Sequence, residues 1–289
     1  MRIWSAVFAV LLFLPEAAPA VVIDRCGAPI LFRGQTGDLA ADLNCPGFPG
    51  TCESDSSISC MSEADCPEGP SGSACNNHAP IVQGGRLRLN GHTLSNNNPT
   101  AGNQPAVLVG GSGKIEGPGT ITAPDGPAVT FMGERLVVSD VELRDSEAGI
   151  AALFGGKIIV SDVNVHDMDE VGIAGAESLT GKNVTVVRTG LEPAGFADPV
   201  NEALSRVAVH GTRIKIRGLV ATDNGGPGVV ARVARIVDGT LSNNAADIGG
   251  WDFLTGTRPR LKNTTCSSSA ELETPTPAIG GSWLVCSGD

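Results

Sequence analysis

One position of a short repeat is occupied in turn by Asn96, Pro124, Asp145, Asp167, Arg188, Asp223 and Asn244. At the centre of this series three carboxylates flank an arginine, and His166, Asp169 and Glu170 lie beside them in sequence. Carboxylate oxygens are the ligands that hard cations take, so Asp145, Asp167, Asp169, Glu170 and Asp223 are the expected ligands of a Ca²⁺ ion. A cation held there against an acidic sugar would acidify the proton next to the sugar carboxylate. Arg188, with His166 and Asp167 as neighbours, is the expected catalytic group that removes it. The alternative is an Asp–Arg–Asp ladder that only neutralises stacked charges.

A second position carries Arg86, Lys114, Arg135, Lys157, Ser178 and Arg213, with Arg235 displaced by one residue. Neighbouring strands lie about 4.8 Å apart, so this series forms a cationic ladder. Like charges that close repel unless something compensates them. One reading is a track for an anionic polymer such as a uronate-containing polysaccharide, with Arg135, Lys157, Arg206, Arg213 and Lys215 as substrate-binding residues. The other is a solvated column that protects the sheet from edge-to-edge association.

Both series depend on a repeat that occupies residues 86–249. Its turn residues are Gly91, Gly119, Asp140, Asp162, Asn183, Gly218 and Gly239, at steps of 28, 21, 22, 21, 35 and 21 residues. Gly, Asn and Asp tolerate a left-handed turn. Apolar residues alternate on either side of each turn, as in Leu136 and Val138 before Asp140 and Val141 and Leu143 after it. This two-residue period predicts strands whose apolar side chains fill an interior in stacked columns. No 3.6-residue apolar stripe runs through each copy, which excludes a helical repeat. The 35-residue step exceeds its neighbours by fourteen residues, taken from TGLEPAGFADPVNEALSR. An insertion in a regular repeat is a common place for a functional loop, and Pro199 to Arg206 has helical character.

The stretches LNGHTL, VSDVELRDSEAGI, VSDVNVHDMDEVGI and IRGLVATDNGGPGV resemble the right-handed parallel β-helix proteins of the pectate-lyase-like superfamily. The resemblance covers somewhat more than half of the chain. It implies an all-β fold: a right-handed parallel β-helix of about seven regular rungs with capped ends. It also makes the acidic strip concrete as a Ca²⁺-dependent lyase site acting on uronate glycans by β-elimination. Arg213-Ile214-Lys215 is similar to a short element of polygalacturonase-type hydrolases, but the acidic motifs that accompany it there are missing. Fold alone does not assign an activity. Low aromatic content, with no Tyr, argues against a long sugar-stacking cleft.

The flanks complete the organisation. Residues 1–20 read as a signal peptide, with Arg2, an apolar run from Ile3 to Leu14 and Ala18-Pro19-Ala20 as a cleavage site. Secretion to an extracellular, periplasmic or cell-surface location is expected, with no transmembrane segment in the mature chain. All eight cysteines follow this leader, as suits disulfides. The expected outer pairs are Cys26–Cys45 and Cys266–Cys286. Cys52, Cys60, Cys66 and Cys75 admit three pairings, and their spacing lacks a zinc knuckle. Residues 21–85 are the expected N-terminal cap with a cysteine-rich surface loop, and residues 250–289 the C-terminal cap, where Trp251 and Phe253 could plug the core. A net charge of −11 argues against nucleic acid as a partner. A monomer is expected. Three functions stay open: carbohydrate binding without turnover, polysaccharide lysis, and a structural or adhesive scaffold.

Overall fold

The computed structural model describes residues 20–27, 30–45, 50–52, 55–60, 75–76, 80–97, 104–190, 199–245, 250–273 and 278–289. Nearly all of the leader lies outside these residues. So do Cys66 and the side chains of Cys52, Cys60 and Cys75, and with them the pairing of the middle four cysteines.

Alternation decides the architecture. Leu136, Val138, Val141, Leu143, Ile158, Val160, Val163, Val165, Leu179, Val184 and Val186 are each at most 2 % exposed, while their sequence neighbours face outward. A strand with one apolar side can bury it only against other strands, and here each one pairs with the equivalent strand of the next repeat. Leu136 lies opposite Ile158, Ile158 opposite Leu179, and Leu179 opposite Ile214, all in parallel. The result is an 18-stranded, mostly parallel sheet, in which consecutive strands are neighbours along the chain's winding path. This arrangement is compatible with a β-helix. One continuous apolar core threads it from Ile23 to Cys266. Each fully buried aliphatic side chain contributes about 1.5–3 kcal/mol of transfer free energy.

The register corrects the turn series at three points. Leu87 lies opposite Ile115 and Ile115 opposite Val138, so Leu89 and not Gly91 stands at the turn position of the first copy. Glu116 pairs with Ser139, and the Gly117 amide donates to Ser139 O at 2.8 Å, so Gly117 rather than Gly119 begins that turn. A Cβ on Gly117 would lie 1.5 Å from Asp140 O, which only glycine avoids. At the other end Arg217 pairs with Val237, so Asp238 (φ 55°) holds the turn in place of Gly239.

Parallel pairing extends past residues 86–249 on both sides. Val21–Ile23 pairs with Thr36–Leu39, which pairs with Arg86–Arg88. Phe253–Thr255 and Arg260–Lys262 add to Val229–Val237. Phe253 is accordingly part of the core, and Trp251 packs on a smaller cluster around Val230 and Leu254. The expected disulfides Cys26–Cys45 and Cys266–Cys286 are both formed. The cysteine-rich stretch expected as a surface loop contains a 3-stranded antiparallel sheet from Gly50–Cys52, Asp55–Cys60 and Cys75–Asn76. No helix among the described residues is long and apolar enough to cross a membrane.

The insertion leaves the sheet undisturbed. Ser178 and Arg213 are 35 residues apart and still pair directly. The helix Pro199–Ser205 stands outside the sheet. It is anchored by Arg206, whose Nε donates to Gly190 O and whose guanidinium faces Glu202 at 3.5 Å. Arg206 is 3 % exposed, so this expected substrate-binding residue is built into the interior and not offered to solvent.

Candidate functional site

The acidic strip is a column of left-handed turns. Asp145, Asp167, Arg188, Asp223 and Asn243 have φ between 47° and 57°. This conformation costs most L-residues about 1–2 kcal/mol and is adopted most readily by Gly, Asn and Asp. The residue types therefore have a backbone reason to be there. Asn243 and not Asn244 closes the column, because the last repeat is one residue shorter. Asn244 turns inward and joins a buried polar ladder with Asn224 and Asp252.

Side-chain pairing then uses up most of the strip's charge. Arg188 donates from Nε to Asp167 Oδ1 at 2.6 Å and from Nη2 to Oδ2 at 2.8 Å. His166 bridges two carboxylates, with Nδ1 2.6 Å from Asp167 Oδ2 and Nε2 3.0 Å from Glu142 Oε1. Thr120 Oγ1 donates to the second oxygen of Glu142 at 2.9 Å. Asp223 accepts from Asn243 at 3.1 Å, and Asp145 faces Arg144 at 3.5 Å.

These contacts fix the protonation states. The Arg188 hydrogen bonds hold the Asp167 carboxyl far below the usual range, with His166 adding to the effect against a burial penalty. The hydrogen bond from His166 likewise lowers Glu142. Burial works against a charged His166, but the bonds and charges of Asp167 and Glu142 outweigh it and raise its pKa. Asp167 raises the pKa of Arg188 in turn. The arrangement stabilises an imidazolium and a guanidinium between carboxylates.

Of the expected ligands, Asp145, Asp167 and Asp169 line a cavity of about 310 Å³ with Pro124 and Met168, while Glu170 lines a separate one beside Glu147 and Asp223 lines neither. Burial, with the charge of Asp169, raises the pKa of Glu170. Among the described residues no group of three or more His, Cys, Asp or Glu could hold a metal ion.

The cations gather elsewhere, on the outward face of one side of the parallel sheet. Three outward columns run side by side there. The first contains Arg135, Lys157, Ser178, Arg213 and Val233. The second contains Arg86, Lys114, Val137, Ile159, Thr180, Lys215, Arg235 and Arg260. The third contains Asp38, Arg88, Glu116, Ser139, Ser161, Lys182, Arg217, Val237 and Lys262. The single ladder expected from the sequence is thus corrected to a two-dimensional field. Lys114 stands beside Val137 and not Arg135, because the longer Gly117–Gly119 turn shifts the count by two residues. Val233 replaces Arg235 beside Arg213.

Neutralisation on this face is uneven. Glu116 alone meets Arg86 at 3.3 Å, Arg88 at 3.5 Å and Lys114. Arg213 pairs with Glu177 at 2.7 Å and Arg217 with Asp238 at 3.0 Å. Arg135, Lys157, Lys182, Lys215, Arg235, Arg260 and Lys262 are exposed and make no ion pair among the described residues. Lys215, Arg235 and Arg260 are stacked on successive strands.

Sequence reasoning missed Glu142, Glu116, Lys182, Arg217, Arg260 and Lys262. Each occupies an outward alternate position, so the two-residue period held the signal for the last four. Glu142 and Glu116 emerge only from the cross-strand register. The chain matches no protein-family model, no curated protein and no solved structure.

Proposed function

We propose that this chain is a secreted, right-handed parallel β-helix of about seven regular rungs, of the pectate-lyase-like kind, that binds an acidic polysaccharide along its cationic sheet face. The observation that carries this reading is the set of seven exposed cations without an ion pair among the described residues, on one face of a chain whose net charge is −11. Like charges about 4.8 Å apart raise the energy of the free protein. A polyanion laid across them relieves that repulsion and releases counterions, and its affinity falls with salt. Disulfides at both ends suit a chain working in an oxidising compartment.

Binding without turnover is favoured over lysis because Arg188 and Asp167 neutralise each other. Calorimetric titration of polygalacturonate, alginate and a sulfated glycosaminoglycan at several salt concentrations tests the reading. Ultraviolet absorbance of an unsaturated sugar product, followed in the same samples with and without Ca²⁺, tests for lysis. Salt-sensitive binding with flat absorbance is the expected result. No binding of any of the three polymers refutes the proposal, and absorbance growth restores the lyase.

A further inference from the structure

Beside the first strands of the cationic face lies a groove of about 650 Å³, within the size range of small-molecule sites. Arg86, Arg88, Lys114 and Arg135 line it. Gly84, held at φ 84°, and Gly85 also line it, and Gly85 is packed so closely on the neighbouring strand that a Cβ there would lie 2.6 Å from Leu31 O. The charge around it does not balance. Glu116 takes contacts from Arg86, Arg88 and Lys114 together. Among the described residues the only other carboxylate paired with these cations is Asp38, whose Oδ1 is 3.6 Å from Arg88 Nη1, beyond hydrogen-bond reach. That oxygen is buried with no hydrogen-bond partner among the described residues. Arg135 has no ion pair among them. Four cations against two carboxylates leave a surplus of two positive charges.

We propose that this groove binds a small ligand carrying two negative charges, which competes with Glu116, the carboxylate that Arg86, Arg88 and Lys114 already share. A guanidinium has five N–H donors in a fixed fork, and the long contacts of Arg86 and Arg88 to Glu116 leave most of theirs free for oxyanions. Lys114 supplies a compact charge between them, and Arg135 closes the side nearest the neighbouring strand. Glu116 sets the threshold: a monoanion leaves the surplus uncorrected, and a dianion corrects it. The site stands apart from Lys215, Arg235 and Arg260 and does not rest on polymer binding there.

The test is an amide-resolved NMR titration of the full chain at constant ionic strength. The probes are inorganic sulfate, digalacturonate and, as the monoanion, acetate. Saturable shifts confined to residues 34–36, 84–88, 112–116 and 135–137 are expected with at least one dianion, and acetate binds at least about tenfold more weakly. Arg135→Ala and Lys114→Ala each weaken dianion binding about tenfold, and Glu116→Gln tightens it. Arg135 has no ion pair to lose, so its variant reports on binding even where Lys114→Ala disturbs the fold. Absence of saturable shifts with both dianions, equal affinity for acetate, or an unchanged affinity in Arg135→Ala overturns the proposal. Combined Glu substitutions at Lys215, Arg235 and Arg260 leave these titrations unchanged, so failure here and failure of polymer binding are seen separately.

Discussion

The turn column and the sheet face are both periodic, both charged and both exposed, yet they differ in what each charge meets. In the turn column the charged groups are largely paired, and the chain Thr120–Glu142–His166–Asp167–Arg188 runs unbroken across neighbouring strands. On the sheet face, cations outnumber carboxylates and seven stand without an ion pair among the described residues. The backbone explains the first region, since left-handed turns select Asp and Asn. No backbone requirement selects Lys or Arg at the outward positions of a strand. Periodicity alone therefore does not mark a site. Charge that the fold leaves uncompensated does.

The largest expected effect falls on the sheet face. Combined Lys215→Glu, Arg235→Glu and Arg260→Glu substitutions should lower affinity for a polyanion by about a hundredfold at low ionic strength. The melting temperature should stay level or rise, because stacked repulsion is removed. Equal loss of affinity from Asp167→Ala, measured by the same calorimetry, would erase the contrast between the two regions.

Asp167→Ala should act on stability. It strips Arg188 of both hydrogen bonds and His166 of one, at a cost of about 1–2 kcal/mol in chemical denaturation after allowance for solvent exposure. Polymer affinity should not change.

Acidity sharpens the comparison further. The folded pKa of His166 lies above its unfolded value of about 6.5. Its contribution is therefore complete below that value and is lost as pH rises through the folded pKa. Asp167 and Glu142 are shifted down, so theirs is present above about pH 4 and lost as pH falls through their folded values. Stability from this network should form a plateau between about pH 4 and 6.5. Glu142→Gln should flatten its alkaline shoulder by a few tenths of a kcal/mol. Denaturation midpoints measured across this range check it, and an unchanged shoulder would remove His166 from the network.

The smallest effect belongs to Arg188→Asn. Asparagine enters the left-handed turn more easily, and the lost ion pair is half exposed. The two changes offset, and stability should move by less than about 0.5 kcal/mol. A loss several times larger would show that the arginine is kept for its charge.

The inward columns were readable in the sequence, because a strict two-residue period leaves only one way to bury Leu136, Val138, Val141 and Leu143. The outer disulfides followed from proximity within the cysteine groups. The register at Gly117–Gly119 was not readable, since Pro118 and Gly119 lengthen a turn that one-glycine counting treats as standard. The inward role of Arg206 was hidden as well, because an arginine in a polar insertion gives no sign that Glu202 and Gly190 will enclose it. The acidic strip was found as a set of residues but not as a closed network. His166 reaches Glu142 across 24 residues and one strand boundary, and only the folded register brings those side chains together.

The direct pairing of Ser178 with Arg213 across 35 residues has a consequence for how such a chain can change. All of the additional length leaves the sheet at one edge and returns without altering strand pitch. The outward face is thus a ruler whose graduations are ruled by main-chain hydrogen bonds, and the loop edge is a margin where new text can be written. Lineages that lengthen or shorten this margin would inherit the same graduations, so a chain of this kind can revise its loops while keeping its outward columns in step.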